Sequence, residues 1–143
     1  MDIQHVGSTA IPNIPAKPII DISVGIMSLK KAKTVIKSLK ALGYEYRENG
    51  SIRGKHLFFA KGSEERRTHY LHLIKYNGEI WKNDLLFCDY LCKHKEMAVK
   101  YANLKTELAN KFSTDRGAYT NAKSKFIRTV IKMANKNLYK KSE

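Results

Sequence analysis

Residues 5–26 read HVGSTAIPNIPAKPIIDISVGI, and this stretch decides the fold. A Gly-Ser turn is followed by all three prolines of the chain, so residues 10–18 are predicted to form an ordered loop. Residues 19–26 alternate in the manner of a β-strand, with aliphatic side chains on one face. The same alternation directs Asp21 away from the aliphatic row and places it beside Ser23.

The Gly-Ser turn is suited to holding a phosphate group. Gly7 lets the backbone come close to a ligand, and Ser8 with the neighbouring amides can donate hydrogen bonds to phosphate oxygens. Thr9 extends this set of donors, and Lys17 adds a mobile positive charge. An aspartate on an adjacent strand, here Asp21, can bind Mg²⁺, which bridges phosphate oxygens in phosphoryl transfer. The alternative is an ordinary turn, with Asp21 capping a loop.

The hydrophobic pattern of the remaining chain predicts one α+β domain over residues 1–143. Residues 1–80 are rich in predicted strands, and residues 81–140 are helical. The pattern predicts strands over 44–48, 56–60 and 69–76, after a short extended segment at 3–6, and helices over 28–42, 84–93, 97–112 and 119–133. This order favours a mixed sheet packed with helices. Trp81 is predicted to pack where the sheet meets the helices.

Composition narrows the class of protein. Hydrophobic residues make up 43% and charged residues 28% of the chain, which is typical of a globular protein. No apolar run reaches the roughly 18–20 residues of a membrane span, and no secretory signal is recognised, so we expect a cytoplasmic protein without a membrane partner. Cys88 and Cys92 have the spacing of neither a disulfide framework nor a complete zinc site, and are expected to be reduced thiols.

The charge balance is strongly basic, with 27 Lys and Arg against 13 Asp and Glu and a net charge of +14. Such a surface attracts phosphates, nucleic acids or acidic lipids. Lysine outnumbers arginine heavily, whereas base reading and bidentate phosphate contacts favour arginine. The charge therefore leaves two interpretations open, namely nucleic-acid binding and a compositional bias on solvated helix faces.

The stretch HVGSTAIPNIPAKPIIDISVGI resembles the signature of the GrpB-like family, a branch related to the nucleotidyltransferase fold. Further segments resemble the family in the same order, so that the likeness covers nearly the whole chain. They are YLHL at 70–73, LFCDYLC at 86–92, YANLK at 101–105 and YTNAKSKFI at 119–127. The resemblance implies a nucleotidyltransferase-like mixed sheet that holds a Gly-Ser turn and a strand aspartate and is backed by helices.

The resemblance also implies site residues. Nucleotidyltransferases of that superfamily hold the triphosphate at Gly-Ser and bind two Mg²⁺ ions through carboxylates, the first two spaced as Asp-x-Asp or Asp-x-Glu. Gly7, Ser8 and Asp21 match this pattern, but Ser23 stands where the second carboxylate is expected. Since serine is a poor Mg²⁺ ligand, the two-metal mechanism is in doubt.

Four more residues match family positions. His5 and His72 are expected to face one cleft, where each can act as a base, a metal ligand or a hydrogen-bond partner. Lys105 and Lys123, on the late helices, are expected to assist phosphate binding. His56 and His69 are assigned to the sheet or its surface.

Three functions follow as hypotheses. The first is a nucleotidyl or phosphoryl transferase acting on a nucleotide or phosphorylated small molecule, with Mg²⁺ as cofactor. The second is a non-catalytic binder of a phosphorylated ligand that has lost its metal pair, in which Ser23→Asp is expected to raise Mg²⁺ affinity without loss of the fold. The third is an RNA-binding module. The substrate and the oligomeric state are not determined by the sequence.

Overall fold

The computed structural model describes residues 1–52 and 54–140, which contain five strands and four α-helices. The strands are β1 (Asp2–Val6), β2 (Ile20–Ile26), β3 (Tyr44–Tyr46), β4 (His56–Gly62) and β5 (Arg67–Lys75). The helices are α1 (Ala32–Ala41), α2 (Glu79–Lys93), α3 (Lys95–Lys111) and α4 (Arg116–Lys140). This content confirms the predicted α+β class.

The chain divides into two compact units. The first unit contains residues 1–10 and 16–85, and the second contains residues 11–15 and the chain from residue 86 onward. The boundary falls within α2, close to the point where the sequence pattern changes from strands to helices. That residues 1–143 form one domain stays a prediction.

The first unit is built on a five-stranded mixed sheet with the strand order β1-β2-β5-β4-β3. β2 and β5 pair in parallel, and the other neighbours pair antiparallel. The parallel pair requires a long crossover, because a two-residue hairpin joins only antiparallel strands. Here α1, β3 and β4 lie between the two strands in the chain, so β2 and β5 come to occupy the middle of the sheet.

One face of the sheet carries the hydrophobic core of the first unit. Alternate residues of β2 and β5 point to this face and pack with buried Phe59 of β4 and with the apolar side of α1. The helix is reached through a short 3₁₀ helix whose N-cap, Ser28, accepts a hydrogen bond from the Lys30 amide at 3.3 Å. After α1 ends at Ala41, Gly43 adopts the left-handed conformation that is common just beyond a helix.

The opposite face of the sheet is also covered in part. Ser23 has no exposed surface, and Gly25 lies so close to the rings of Trp81 and Tyr76 that a β-carbon there would be 2.9 Å from each. Trp81 is 3% exposed, which confirms its predicted packing role. We call this side, which carries Asp21, Ser23 and His72, the Asp21 face.

Several element bounds differ from the predicted ones. β3 ends at Tyr46, because residues Glu48–Gly50 form a 3₁₀ turn. β4 and β5 extend into residues 61–68, between the two predicted strands, where the pairing continues to Gly62 and Arg67. α2 begins at Glu79 rather than Asp84, since Glu79 places a carboxylate in the first turn, where the helix dipole favours it.

The second unit is helical. Its core is formed by side chains from the segment Ile11–Pro15, the end of α2, and α3 and α4, including Leu91, Tyr101 and Val130. Met133 of α4 is 38% exposed, whereas its neighbour Ala134 is buried. Among the described residues, no helix combines the length and apolar character needed to cross a membrane.

Candidate functional site

Gly7 and Asp21 are in direct contact on the Asp21 face. Val6 pairs with Asp21 across β1 and β2, so the turn that follows β1 begins beside this aspartate. Gly7 has φ +73°, and a β-carbon at this position would lie 2.5 Å from Asp21 Oδ2. Only glycine combines this conformation with this approach. The structure thus brings together the turn and the aspartate that the sequence singles out.

His72 lies on the same face as Asp21. It pairs with Ser23 across β5 and β2, and its Nε2 is 3.6 Å from Asp21 Oδ1. Both side chains retain partial exposure, 27% for His72 and 29% for Asp21, so a ligand can reach them. The distance is longer than a hydrogen bond.

His56 is a direct neighbour of His72, although the sequence pattern assigned it only to the sheet or its surface. Its Nε2 lies 2.9 Å from His72 Nδ1, and the two rings are nearly parallel. Burial, and then the charge of His72, lowers the pKa of His56 to about 4. His56 is therefore neutral at pH 7 and able to donate or accept one proton at Nε2. This contact holds the His72 ring with its other nitrogen toward Asp21.

Asp84 is the second carboxylate of this region, and the sequence analysis missed it. Fully buried Ser23 donates a hydrogen bond from Oγ to Asp84 Oδ2 at 3.0 Å. Burial raises the pKa of Asp84, and the negative charge of Asp21 raises it further, while the Ser23 hydrogen bond and His72 oppose the shift. The available signal was the position of Asp84 three residues after Trp81, which places both side chains on the same side of α2.

His5 lies on the other face of the sheet. It pairs with Ile22, the neighbour of Ser23, so its side chain points away from the Asp21 face. Its Nε2 is 2.8 Å from the Thr9 hydroxyl, which donates to the Ile19 carbonyl at 3.4 Å. The prediction that His5 and His72 face one cleft is therefore corrected, because the register of β1 separates them.

The predicted phosphate-binding residues fall in both units. Ser8 and Thr9 belong to the 3₁₀ helix Ser8–Ala10 that directly follows Gly7, and Lys17 is exposed in the loop before β2. Lys105 and Lys123 belong to the second unit, where their ammonium groups lie 4.9 and 5.2 Å from the ring centres of Tyr101 and Tyr119. The role of these lysines in phosphate binding stays a prediction.

The donor set on the Asp21 face limits which metals fit. Within residues 1–52 and 54–140, no group of three or more His, Cys, Asp or Glu side chains is arranged to hold a metal ion. Ser23 offers no second carboxylate on the strand, and Asp84 is already the acceptor of its hydroxyl. Mg²⁺ commonly uses one or two carboxylates together with ligand phosphates. Asp21 fits that arrangement, whereas a pair of protein-held metals does not fit.

Known proteins resemble this chain over most of its length. The family model described as GrpB protein matches residues 1–133. The glutamate-rich protein GrpB of Alkalihalophilus pseudofirmus is 41% identical over 133 residues, which cover 91% of this chain and 76% of that protein. The crystal structure of GrpB from Enterococcus faecalis superposes with a TM-score of 0.82 at 30% identity, covering 97% of this chain and 82% of that one.

A more distant relative is named dephospho-CoA kinase, from Mycobacterium leprae. It is 26% identical to this chain, and the match covers 92% of this chain but 38% of the relative. UPF0157 protein YqkA of Bacillus subtilis and UPF0157 protein PA4798 of Pseudomonas aeruginosa are also much longer than this chain. The matches cover 38% and 54% of their lengths, respectively. This chain therefore corresponds to one part of such proteins.

Proposed function

Since the chain belongs to the GrpB protein family, we propose that its first unit binds a nucleotide or another phosphorylated small molecule at the Asp21 face. The observation that carries this proposal is the contact between Gly7 and the Asp21 carboxylate, with His72 Nε2 at 3.6 Å. A glycine turn, a strand carboxylate and an imidazole, distant in sequence, meet at one accessible point. The glycine turn and the strand carboxylate are the two parts of the nucleotidyltransferase pattern that this chain retains, and the imidazole is an addition to them.

The ligand class follows from the groups near this point. The turn offers backbone amides and the Ser8 hydroxyl to phosphate oxygens, and Lys17 adds positive charge from the same unit. The likeness to a protein named dephospho-CoA kinase supports a phosphorylated, nucleotide-like ligand. Mg²⁺, when bound, would be held by Asp21 with ligand phosphate oxygens and would neutralise their charge. A cytoplasmic location is part of the same proposal.

Nucleotidyl transfer, unlike binding alone, also requires a group that takes up a proton from the acceptor hydroxyl. In that reaction an acceptor hydroxyl forms a bond to the α-phosphorus, pyrophosphate leaves, and the hydroxyl proton must be taken up. We assign the uptake of that proton to His72 Nε2, which lies 3.6 Å from Asp21 Oδ1. The alternative is a binder that holds the phosphorylated ligand without this step.

Calorimetric titration with ATP, GTP, CTP and UTP, each with and without Mg²⁺, tests the proposal. Loss of a charged hydrogen-bonding group is worth about ten- to hundredfold in affinity, so Asp21→Asn is expected to weaken binding by this amount in the presence of Mg²⁺. Without Mg²⁺ the same variant is expected to bind equally well or better, because a negative charge facing a phosphate is removed. If the affinity of Asp21→Asn equals that of the parent in Mg²⁺, metal-dependent binding at Asp21 is excluded.

His72→Gln and His69→Gln form a matched pair for this titration. Both histidines lie in β5, but they are three positions apart, so they point to opposite faces. His72→Gln is expected to weaken nucleotide binding, and His69→Gln is expected to retain the affinity of the parent. Equal effects of the two variants, or no binding of any nucleotide by the parent, would contradict the proposed site. Label transfer from α-labelled nucleotide then distinguishes a transferase from a binder.

A further inference from the structure

Cys88 and Cys92 form a pair of neighbouring thiols on α2, outside the proposed phosphate site. Their spacing of four residues places them on one side of the helix, one turn apart, and the two thiols hydrogen-bond to each other. Cys88 is half-buried and packs against the core of the second unit, whereas Cys92 is exposed. The pair can therefore be reached from solvent through Cys92.

The surroundings of the pair decide which ligand it suits. Asp89 is paired with Lys93 at 2.7 Å, and His94 Nδ1 lies 2.8 Å from the Tyr90 carbonyl, so the nearest oxygen and nitrogen donors have partners. In the part of the chain that the structure describes, no third His, Cys, Asp or Glu completes a metal-binding group. The two thiols therefore supply only half of the four ligands that a structural zinc ion takes. Two thiolates alone suit a soft ion of low coordination number.

The protons and charges of the site balance when an ion binds. A strongly thiophilic ion deprotonates the thiols that coordinate it. Binding of one monovalent ion by two thiols releases two protons and leaves a net charge of −1. Lys95 lines a cavity of about 130 Å³ together with Cys92 and brings a positive charge to the same surface.

We propose that Cys88 and Cys92 form an intrachain two-thiolate site for a soft monovalent metal ion of the Cu(I) class. The site lies in the second unit and is independent of nucleotide binding at the Asp21 face. Both sulfurs would bind the ion, with Cys92 as the entry ligand and Cys88 as the inner ligand. The second thiol acts intramolecularly, which raises affinity by about a hundredfold or more over a single thiol.

Anaerobic titration with Cu(I), buffered by a competing chelator and in the presence of a reductant, tests the site. The parent is expected to bind one Cu(I) per chain with release of two protons. Cys92→Ser changes an exposed residue and is expected to weaken binding about a hundredfold or more. Cys88→Ser is expected to do the same, and the double variant is expected to be little worse than either. His94→Gln is the matched control and is expected to retain the affinity of the parent.

Three results would overturn the site. One is affinity in Cys92→Ser within a few fold of the parent, and another is a loss in His94→Gln as large as that in the cysteine variants. The third is one Cu(I) per two chains, which would indicate a site between molecules. Circular dichroism of Cys88→Ser shows whether replacing this half-buried residue disturbs folding. If it does, the Cu(I) affinity of Cys92→Ser alone tests the site.

Discussion

Replacement of Gly7 by alanine is expected to destabilise the first unit and to displace the Asp21 carboxylate. The backbone at Gly7 has φ +73°, a conformation that costs a residue with a β-carbon about 1–2 kcal/mol. The new β-carbon would also lie 2.5 Å from Asp21 Oδ2 and 2.9 Å from Asp21 Cβ. Relieving that overlap adds about 1–3 kcal/mol. Reduced freedom of the unfolded chain returns about 0.4–1 kcal/mol. The net loss is about 1–4 kcal/mol.

Gly54→Ala separates the two contributions. Gly54 has nearly the same conformation, φ +74°, but no atom lies within 4 Å of the position its β-carbon would take. Gly54→Ala therefore has the backbone cost and the unfolded-state gain but no overlap with a neighbouring atom. Its free energy of unfolding is expected to change by no more than about 1.5 kcal/mol. The difference between the two variants, about 1–3 kcal/mol, measures how tightly the turn is packed on Asp21.

Urea unfolding followed by tryptophan fluorescence provides the assay. Trp81 is the only tryptophan of the chain and is buried in the first unit, so its emission reports on the unit that contains both glycines. Equal losses in Gly7→Ala and Gly54→Ala would refute the proposed packing of the turn on Asp21. Combining Gly7→Ala with Asp21→Ala provides a second test. The double variant should lose less stability than the sum of the single variants, because the overlap with the carboxylate is absent.

Three further predictions concern the neighbours of Asp21. Because the pKa of His56 is lowered from 6.5 to about 4, the folded state resists a proton that the unfolded chain accepts. The parent should therefore lose stability relative to His56→Gln as the pH falls from 6.5 to 4 in urea unfolding, and parallel profiles would contradict this. Because burial raises the pKa of Asp84, protonation favours the folded state. The parent should lose stability relative to Asp84→Asn as the pH rises from the carboxyl's ordinary value through its raised one. A parent that gains stability relative to Asp84→Asn over this range would contradict the prediction. Ser23→Asp should lower the free energy of unfolding at pH 7 by several kcal/mol, well beyond the loss in Ser23→Ala, because it buries a carboxylate beside Asp84. Equal losses would contradict the burial argument.

The sequence was sufficient for the scaffold and for the centre of the site. Alternation in residues 19–26 predicted β2, and its phase directed Asp21 to the face opposite the aliphatic side chains, as the structure has it. The Gly-Ser turn was recognisable from its residue types, and the structure adds the left-handed backbone of Gly7 and its approach to Asp21. Alternation and turn composition are local properties, and local properties can be seen in the order of residues.

The position of each histidine depended on strand pairing, which the order of residues does not contain. His5 was expected beside His72, but β1 pairs with β2 so that His5 is opposite Ile22, and a register shift of one residue would have reversed its face. His56 was assigned to the sheet or its surface. It contacts His72 because β4 and β5 pair antiparallel, with His56 opposite Ile74, two residues beyond His72. Such a diagonal contact can be predicted only when the register between the two strands is known.

Ser23 shows why the carboxylates of this site could not be counted along one strand. A serine two residues after Asp21 was interpreted as the loss of a second acidic group from the strand. In the structure the serine side chain is fully buried and reaches across to α2, where its hydroxyl holds the carboxylate of Asp84. A carboxylate at position 23 would repel Asp84, whereas a hydroxyl both fits the space and satisfies an acceptor. The serine is therefore explained by its packing against a helix, and the second acidic group of the Asp21 face comes from that helix. Ser23→Asp would then add a buried charge rather than restore a metal site.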